Sequence, residues 1–373
     1  MWSRQIGEKA GVSIPLYPAE HFYIITEPIE NLSRTLPVIR DFDNRTYIKE
    51  DAGKILVGIF ESKSIPAWNK INKVPEDFSF GEFQENFEHF EPYLSTAMKR
   101  FPVLETAGIR KFFSGPESFT PDTNTLLGEV PEVKNFFVSC GLNSIGIGSG
   151  GGVGKVTAEW LINGHVNEDI FCYDIKRFQK FHSDLGFIKK RITESLGDLY
   201  GMHWPFKQHK TSRNIKTLPY HDELKSFGAC FGVSGGYERP MWFALDGEKT
   251  EYEHSYNYQN WYPSAEYETT NTLKNVGLFD LTPFSKFEIK SDKAQKELQK
   301  ICTADIKNEP GKCIYTHMLN PDGGIEADLT VVCLNKDHFR IISSAATRER
   351  DKFHIKKYLS KDCLLYTSDA ADE

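Results

Sequence analysis

The sequence predicts a mixed α/β, α+β protein laid out in three successive parts. Three observations carry this: strand-like text fills residues 14–61, a strand runs through a glycine cluster into a helix between Gly141 and Gly164, and turn-rich alternating segments resume after Leu218. A helix-rich connector separates the last two.

In order along the chain, HFYIITEPI, PVIRDFDNRTYIKE and KILVGIFES read as strands, with Asp41, Asp43, Asn44 and Gly53 as turn residues between them. They predict an antiparallel meander. From Phe78 to Arg100, acids alternate with Phe in a helical rhythm, which predicts a surface helix packed on that sheet. GPESFTPD, Gly115 to Asp122, reads as a Pro-bounded turn in which Ser118 and Thr120 bond nearby backbone. NFFVSC, Asn135 to Cys140, is the strand that enters the glycine cluster, and the helix is expected from near Val153, with Val156, Trp160 and Leu161 on one face. KRFQKFHSDLGFIKKRITESLGDLYG forms the connector's core. Beyond Leu218 come SGGYERPMWF, a helix over 292–302, the NPDGG turn, and the alternating strands IYTHML, IEADLTVVCL and HFRIISSA. The expected boundaries are 1–165, 166–217 and 218–362. Met1 to Gln5 enters a helix without a cap, as if a longer chain had been cut open. Residues 363–373, with LLYTSDAADE, read as a non-native tail outside the fold.

Composition narrows the function classes. The chain is 39% hydrophobic and 26% charged, ordinary for a globular protein. Its net charge of −7 and scattered Lys and Arg argue against nucleic acid as a partner. The seven cysteines form no CxxC pair and no metal-like spacing with histidine, so neither a disulfide scaffold nor a metal site is expected. No apolar run approaches the ~20 residues that span a bilayer, so membrane insertion is not expected.

The glycine cluster is the main chemical signal. A helix start leaves backbone N–H groups unpaired and carries partial positive charge, which suits phosphate, carboxylate or an electron-rich ring. Gly146, Gly148 and Gly151 also satisfy GxGxxG, with Asp169 and Asp174 placed as ribose-binding acids would be. Against a dinucleotide site, YDIKRFQKF after the helix is mixed and charged, whereas a second parallel strand is an apolar run. A ligand-free tight connection is the bland reading, and the concentration of glycine is costly for that. His21 and Tyr23 leave one face of a strand, while Glu20 leaves the other. Arg110 and Lys111 are candidates for a substrate carboxylate. In IEADLTV, Ile325, Ala327 and Leu329 face one way, and Glu326, Asp328 and Thr330 the other, so two acids share a face and can hold a nitrogen-rich ring.

Several longer phrases together resemble the dimethylglycine dehydrogenase and sarcosine dehydrogenase family: WSRQIGEKAGVSIPLYPAEHFYIITEP, RDFDNRTYIKEDAGKILVGIFE, GPESFTPD, CGLNSIGIGSGGGVGK, YDIKRF, ERPMWF, GLFDLTPFSKFEI and YTHMLNPDGGIEADLTV. The resemblance implies the C-terminal part of an FAD-binding amine-oxidising domain, a connector, and the start of an aminomethyltransferase-like folate domain. The family's N-terminal GxGxxG unit is not in this chain. The resemblance places Gly141, Asn143, Ser144, Ile145 and Gly146 at the flavin ring and His21 and Tyr23 on its substrate side. It places Asp328, with Glu326, at the tetrahydrofolate nitrogens. It implies FAD and tetrahydrofolate as cofactors, oxidative demethylation of dimethylglycine or sarcosine, electron transfer to an electron-transfer flavoprotein, and the mitochondrial matrix. A non-catalytic regulatory subunit of pyruvate dehydrogenase phosphatase resembles the same family and is the alternative.

Overall fold

A computed structural model describes residues 1–360 and 362–367. The chain forms two compact units, the first comprising residues 1–162, 172–205 and 209–212, the second 163–171, 206–208 and 213 onward. Residues of the expected connector divide between them.

The first unit opens with α1 (Ser3–Lys9), whose first turn has no side-chain cap. The strands β1 (Tyr17–Thr26), β2 (Ile39–Asp41), β3 (Thr46–Asp51) and β4 (Lys54–Ile59) follow. They join β5 (Ile109–Phe119) in one antiparallel sheet of order β2-β3-β4-β1-β5. Antiparallel pairing is as expected, but the order is not a simple meander, because β1 lies between β4 and β5. GPESF is the end of β5 and not a turn: Pro116 sits opposite Glu20 in the ladder. An edge strand tolerates a residue that cannot donate a hydrogen bond.

One sheet face carries Phe22, Ile24, Ile48, Ile55 and Val57, packed against Phe90, Leu94 and Ala97 of α2 (Phe87–Arg100). The helix starts later than its acidic and aromatic rhythm suggests, with Asn86 capping His89 N–H at 3.1 Å. On the other face, Tyr17, Ala19, Phe60 and Phe119 meet Ile188, Ile192 and Leu196 of α4 (Leu185–Asp198), the connector's main helix.

The hairpin β6 (Leu126–Glu129) and β7 (Phe137–Cys140) leads into α3, Gly146–Asn163. The glycine cluster therefore lies inside the helix and not ahead of it. Among the described residues no named strand follows α3 in parallel; Leu127 and Asp174 share only an isolated parallel bridge. This removes the dinucleotide-binding reading, which needs that strand.

In the second unit, α5 (His221–Ser226) and α6 (Tyr262–Lys274) flank the hairpin β8 (Ala229–Ser234) and β9 (Tyr237–Phe243). The strands β10 (Ser285–Lys290), β11 (Cys313–Leu319), β12 (Ile325–Asn335), β13 (His338–Ser343) and β14 (Leu364–Thr367) form an antiparallel sheet of order β11-β12-β13-β10-β14. Its core joins Leu329, Val331, Phe339 and Ile341 to Leu298 of α7 (Ala294–Ile301) and Ile355 of α8 (Arg348–Tyr358). The segment set apart as a tail supplies β14, since LLYT has strand-forming residues and pairs with β10. Ser368 to Glu373 lie outside the described residues.

Candidate functional site

In the first unit the site is built where the β7–α3 turn meets the polar stretch of the sheet. Chain reversal after Cys140 uses left-handed backbone at Gly141, Asn143 and Ser144, with φ of 65°, 48° and 68°. A Cβ on Gly141 would lie 2.7 Å from the Thr120 methyl, so only glycine fits there. Asn143 is 2% exposed and turned inward. Its Oδ1 accepts from Thr120 N–H at 2.9 Å and Thr120 Oγ1 at 3.2 Å, and its Nδ2 donates to Gly141 O at 2.5 Å. Asn143 thus fastens the turn to the end of β5.

Ile145 N–H is already used, donating to Leu142 O at 3.1 Å, and Ser149 N–H donates back to Ile145 O at 3.0 Å. The donors left free by helix geometry are those of Gly146, Ile147 and Gly148. Apart from the helix's own backbone, nothing lies within 4 Å of a would-be Cβ on Gly148, Gly150, Gly151, Gly152 or Gly154, and at about 100° per residue these positions surround the helix, so its first half is bare backbone on several sides. The far half of α3 is anchored by Trp160. Its ring lies over Gly128, where φ is 102° and a Cβ would come within 2.4 Å. Lys176 Nζ lies 4.8 Å from the centre of the same ring and pairs with Asp174 at 3.0 Å. YDIKRF also supplies Arg177, which grips both oxygens of Asp122 at 2.7 and 2.9 Å.

His21 and Tyr23 do leave the same face of β1, beside Gly115 and Phe113 of β5. They do not touch the same groups. Tyr23 stacks on Phe113 with ring centres 4.6 Å apart, and burial pushes its hydroxyl above the ordinary value. His21 Nε2 lies 3.8 Å from Glu117 Oε2, and its Nδ1 is buried without a hydrogen bond in the chain. Glu117 Oε2 also accepts Ser144 Oγ at 2.9 Å. One carboxylate therefore joins the strand histidine to the turn at the head of α3. The same face carries Tyr47, whose ring covers Gly58 and whose hydroxyl is pushed far up by burial and by Glu117. Phe60 stacks on Tyr200 at 4.2 Å, and Tyr200 accepts from Arg40 Nε at 2.7 Å.

Sequence reading missed Glu117, Tyr47 and Tyr200. The signal for Glu117 was its spacing from Gly115 on a strand, hidden by reading GPESFTPD as a turn. Arg110 and Lys111 instead make surface ion pairs, with Glu27 at 3.8 Å and Glu82 at 2.7 Å.

In the second unit, Ala327, Leu329, Val331 and Cys333 are buried, while Glu326, Asp328 and Thr330 take the other face. Ile325, at the strand's start, is exposed. The two acids have different partners: Glu326 accepts from Arg350 Nη2 at 2.7 Å, and Asp328 accepts from Tyr315 Oη at 3.2 Å. His317 lies opposite Asp328 in the ladder, its Nε2 3.4 Å from Tyr315 Oη. Behind them Asp351 is 1% exposed, and burial pushes its carboxyl up to about 6. All seven cysteines are free thiols. Among the described residues no helix is long and apolar enough to cross a membrane, and no group of three or more His, Cys, Asp or Glu is arranged to hold a metal.

Family models match the chain in three consecutive stretches: FAD dependent oxidoreductase over 1–160, FAD dependent oxidoreductase central domain over 163–217, and GCVT N-terminal domain over 220–372. The chain is similar to 4-methylaminobutanoate oxidase (formaldehyde-forming) of Paenarthrobacter nicotinovorans, 39% identical over 357 residues, covering 96% of this chain and 43% of the relative. It is 35% identical over 381 residues to the mitochondrial pyruvate dehydrogenase phosphatase regulatory subunit of Mus musculus, covering 99% and 42%. Human mitochondrial sarcosine dehydrogenase is 34% identical over 365 residues, covering 91% and 39%. The chain spans about two fifths of the length of these relatives. The chain thus joins an FAD dependent oxidoreductase domain, its central domain and a GCVT N-terminal domain in that order, and over nearly its whole length it is similar to sarcosine dehydrogenase and the other relatives above.

Proposed function

We propose that this chain is part of a flavoenzyme that oxidises the N-methyl carbon of a small N-methylated amino acid and hands the one-carbon unit to tetrahydrofolate. The observation that carries the reading is the Glu117 link between His21 and Ser144, which ties a proton-accepting face to the helix start. FAD fits there: helix geometry leaves the N–H groups of Gly146, Ile147 and Gly148 without an intrahelical acceptor, and from Gly148 on the glycines carry no side chain to keep a flat ring away. When bound, the flavin supplies the hydride acceptor, and oriented donors favour the negative charge that reduction brings.

The residues of the chain do the rest. His21 takes the proton that an ammonium substrate must lose before its methyl carbon can give up hydride. Glu117 stabilises the resulting imidazolium and, through Ser144, holds the turn in place. Tyr23, Tyr47 and Phe60 exclude water from that face. On β12, Asp328 receives a ring N–H proton of tetrahydrofolate as the methylene bridge closes, with Tyr315 orienting it, while Glu326 is neutralised by Arg350. Electrons leave through an electron-transfer flavoprotein in the mitochondrial matrix.

Anaerobic titration of the full-length, flavin-loaded protein tests this. Sarcosine, dimethylglycine or 4-methylaminobutanoate should bleach the flavin absorbance, and the one that does so fastest names the substrate. The 35% identity over 99% of the chain to a regulatory subunit supports a second reading, a non-catalytic homologue. Bound flavin that none of the three amines bleaches would select it.

A further inference from the structure

Residues 163–171 belong to the second unit and are tied to it by side chains of one turn and of α8. His165 Nε2 lies 2.5 Å from Asp322 Oδ2, and its Nδ1 lies 3.1 Å from Asn163 O, so the ring faces an acceptor at each end. Lys357 of α8 donates to Gly164 O at 3.2 Å. The Arg350 guanidinium sits 5.5 Å from the centre of the Phe171 ring while holding Glu326.

Asp322 is part of the Asn320–Gly324 turn that aims β12. The turn is closed by Asn320, whose Oδ1 accepts from Gly324 N–H at 2.7 Å and Asp322 N–H at 3.1 Å, and by left-handed Gly323, φ 85°. Those bonds fix its shape. The β11–β12 ladder holds the base of the turn, while its tip at Asp322 is exposed and has no core packing to hold it. His165 supplies an anchor from outside the turn, at one end of the strand that carries Glu326 and Asp328. Arg350 supplies a second, coupling Phe171 to Glu326 itself.

We propose that residues 163–171 form a strap that positions the Asn320–Gly324 turn and the acids of β12 for a reduced pterin, with His165 as its positioning residue. This rests on the folate reading of β12 given above. The His165–Asp322 pair is partly exposed, with side chains 17% and 55% accessible. Its loss therefore weakens pterin binding by about five-fold and not by orders of magnitude.

The test measures tetrahydrofolate dissociation and the KM and kcat of methylene transfer in the full-length protein, with Asp328→Asn as a reference. His165→Ala and Asp322→Ala should each raise the dissociation constant and KM by about five-fold at unchanged kcat, and the double variant should be no worse than either. Exchanging the pair, His165→Asp with Asp322→His, should recover part of the loss. Unchanged binding in both single variants, or losses that multiply in the double variant, overturns the strap while leaving the folate reading intact if Asp328→Asn still weakens binding. Wild-type protein that binds no tetrahydrofolate overturns both.

Discussion

Replacing Asn143 with Ala should destabilise the first unit by about 3 kcal/mol. The side chain supplies the acceptor for the backbone N–H of Thr120, a residue that is 0% exposed, and the donor for Gly141 O. Leaving a buried donor unmatched costs about 1–3 kcal/mol. Asn also tolerates φ of 48° better than Ala does, a further difference of about 1 kcal/mol. Asn143→Gly separates the two effects: it keeps the left-handed backbone at no steric cost and loses only the hydrogen bonds, so it should be about 1 kcal/mol milder than Ala. Urea unfolding followed by tryptophan fluorescence and far-UV circular dichroism reads both. An Ala variant within about 0.5 kcal/mol of wild type would show that the turn does not depend on Asn143. Equal losses for Ala and Gly would refute the backbone part of the argument.

Other consequences follow from the same geometry. Asp351 should make stability fall as pH rises: with its carboxyl raised to about 6 against an ordinary value of about 4, the folded chain keeps a proton the unfolded chain has released. The stabilisation is complete below about pH 4 and is lost through about pH 6, in all about 3 kcal/mol. Asp351→Asn should therefore raise the urea midpoint at pH 8 and not at pH 4; equal midpoints at both would contradict it. Gly128→Ala should cost about 2 kcal/mol or more, since the new methyl meets the Trp160 ring at 2.4 Å, and a neutral result would mean that Trp160 does not anchor α3. Of the seven cysteines, exposed Cys172 and Cys313 should react quickly with a thiol reagent in the native protein, while Cys302, pushed up to about 12 by burial, should not. Rapid labelling of Cys302 would show that its core opens.

The parts legible in the sequence are those set by local periodicity. The alternation in IEADLTV sorted β12 into a buried and an acidic face, and the spacing of His21 and Tyr23 put both on one face of β1. What local pattern could not supply was register. Glu117 reaches His21 and Ser144 because β5 runs antiparallel beside β1, with Ala19 opposite Glu117, a pairing chosen by packing far along the chain. Proline and glycine in GPESFTPD signalled a turn, yet an edge strand accommodates both. Helix propensity misplaced the start of α3 for a similar reason. Each glycine disfavours helix by about 1 kcal/mol, so the cluster read as loop, whereas the structure winds it into the helix and anchors the far half through Trp160. The orphaned donors consequently sit at Gly146–Gly148, later than Asn143 and Ser144. Those two residues shape the turn through their side chains instead.

The most direct test of the account is the rate at which substrate reduces the flavin in stopped-flow mixing without oxygen, compared between wild type and His21→Asn in the full-length protein. If His21 is the proton acceptor, the substitution should slow reduction by about 10²-fold or more at pH 7, with flavin still bound. A variant reduced at the wild-type rate would contradict the account.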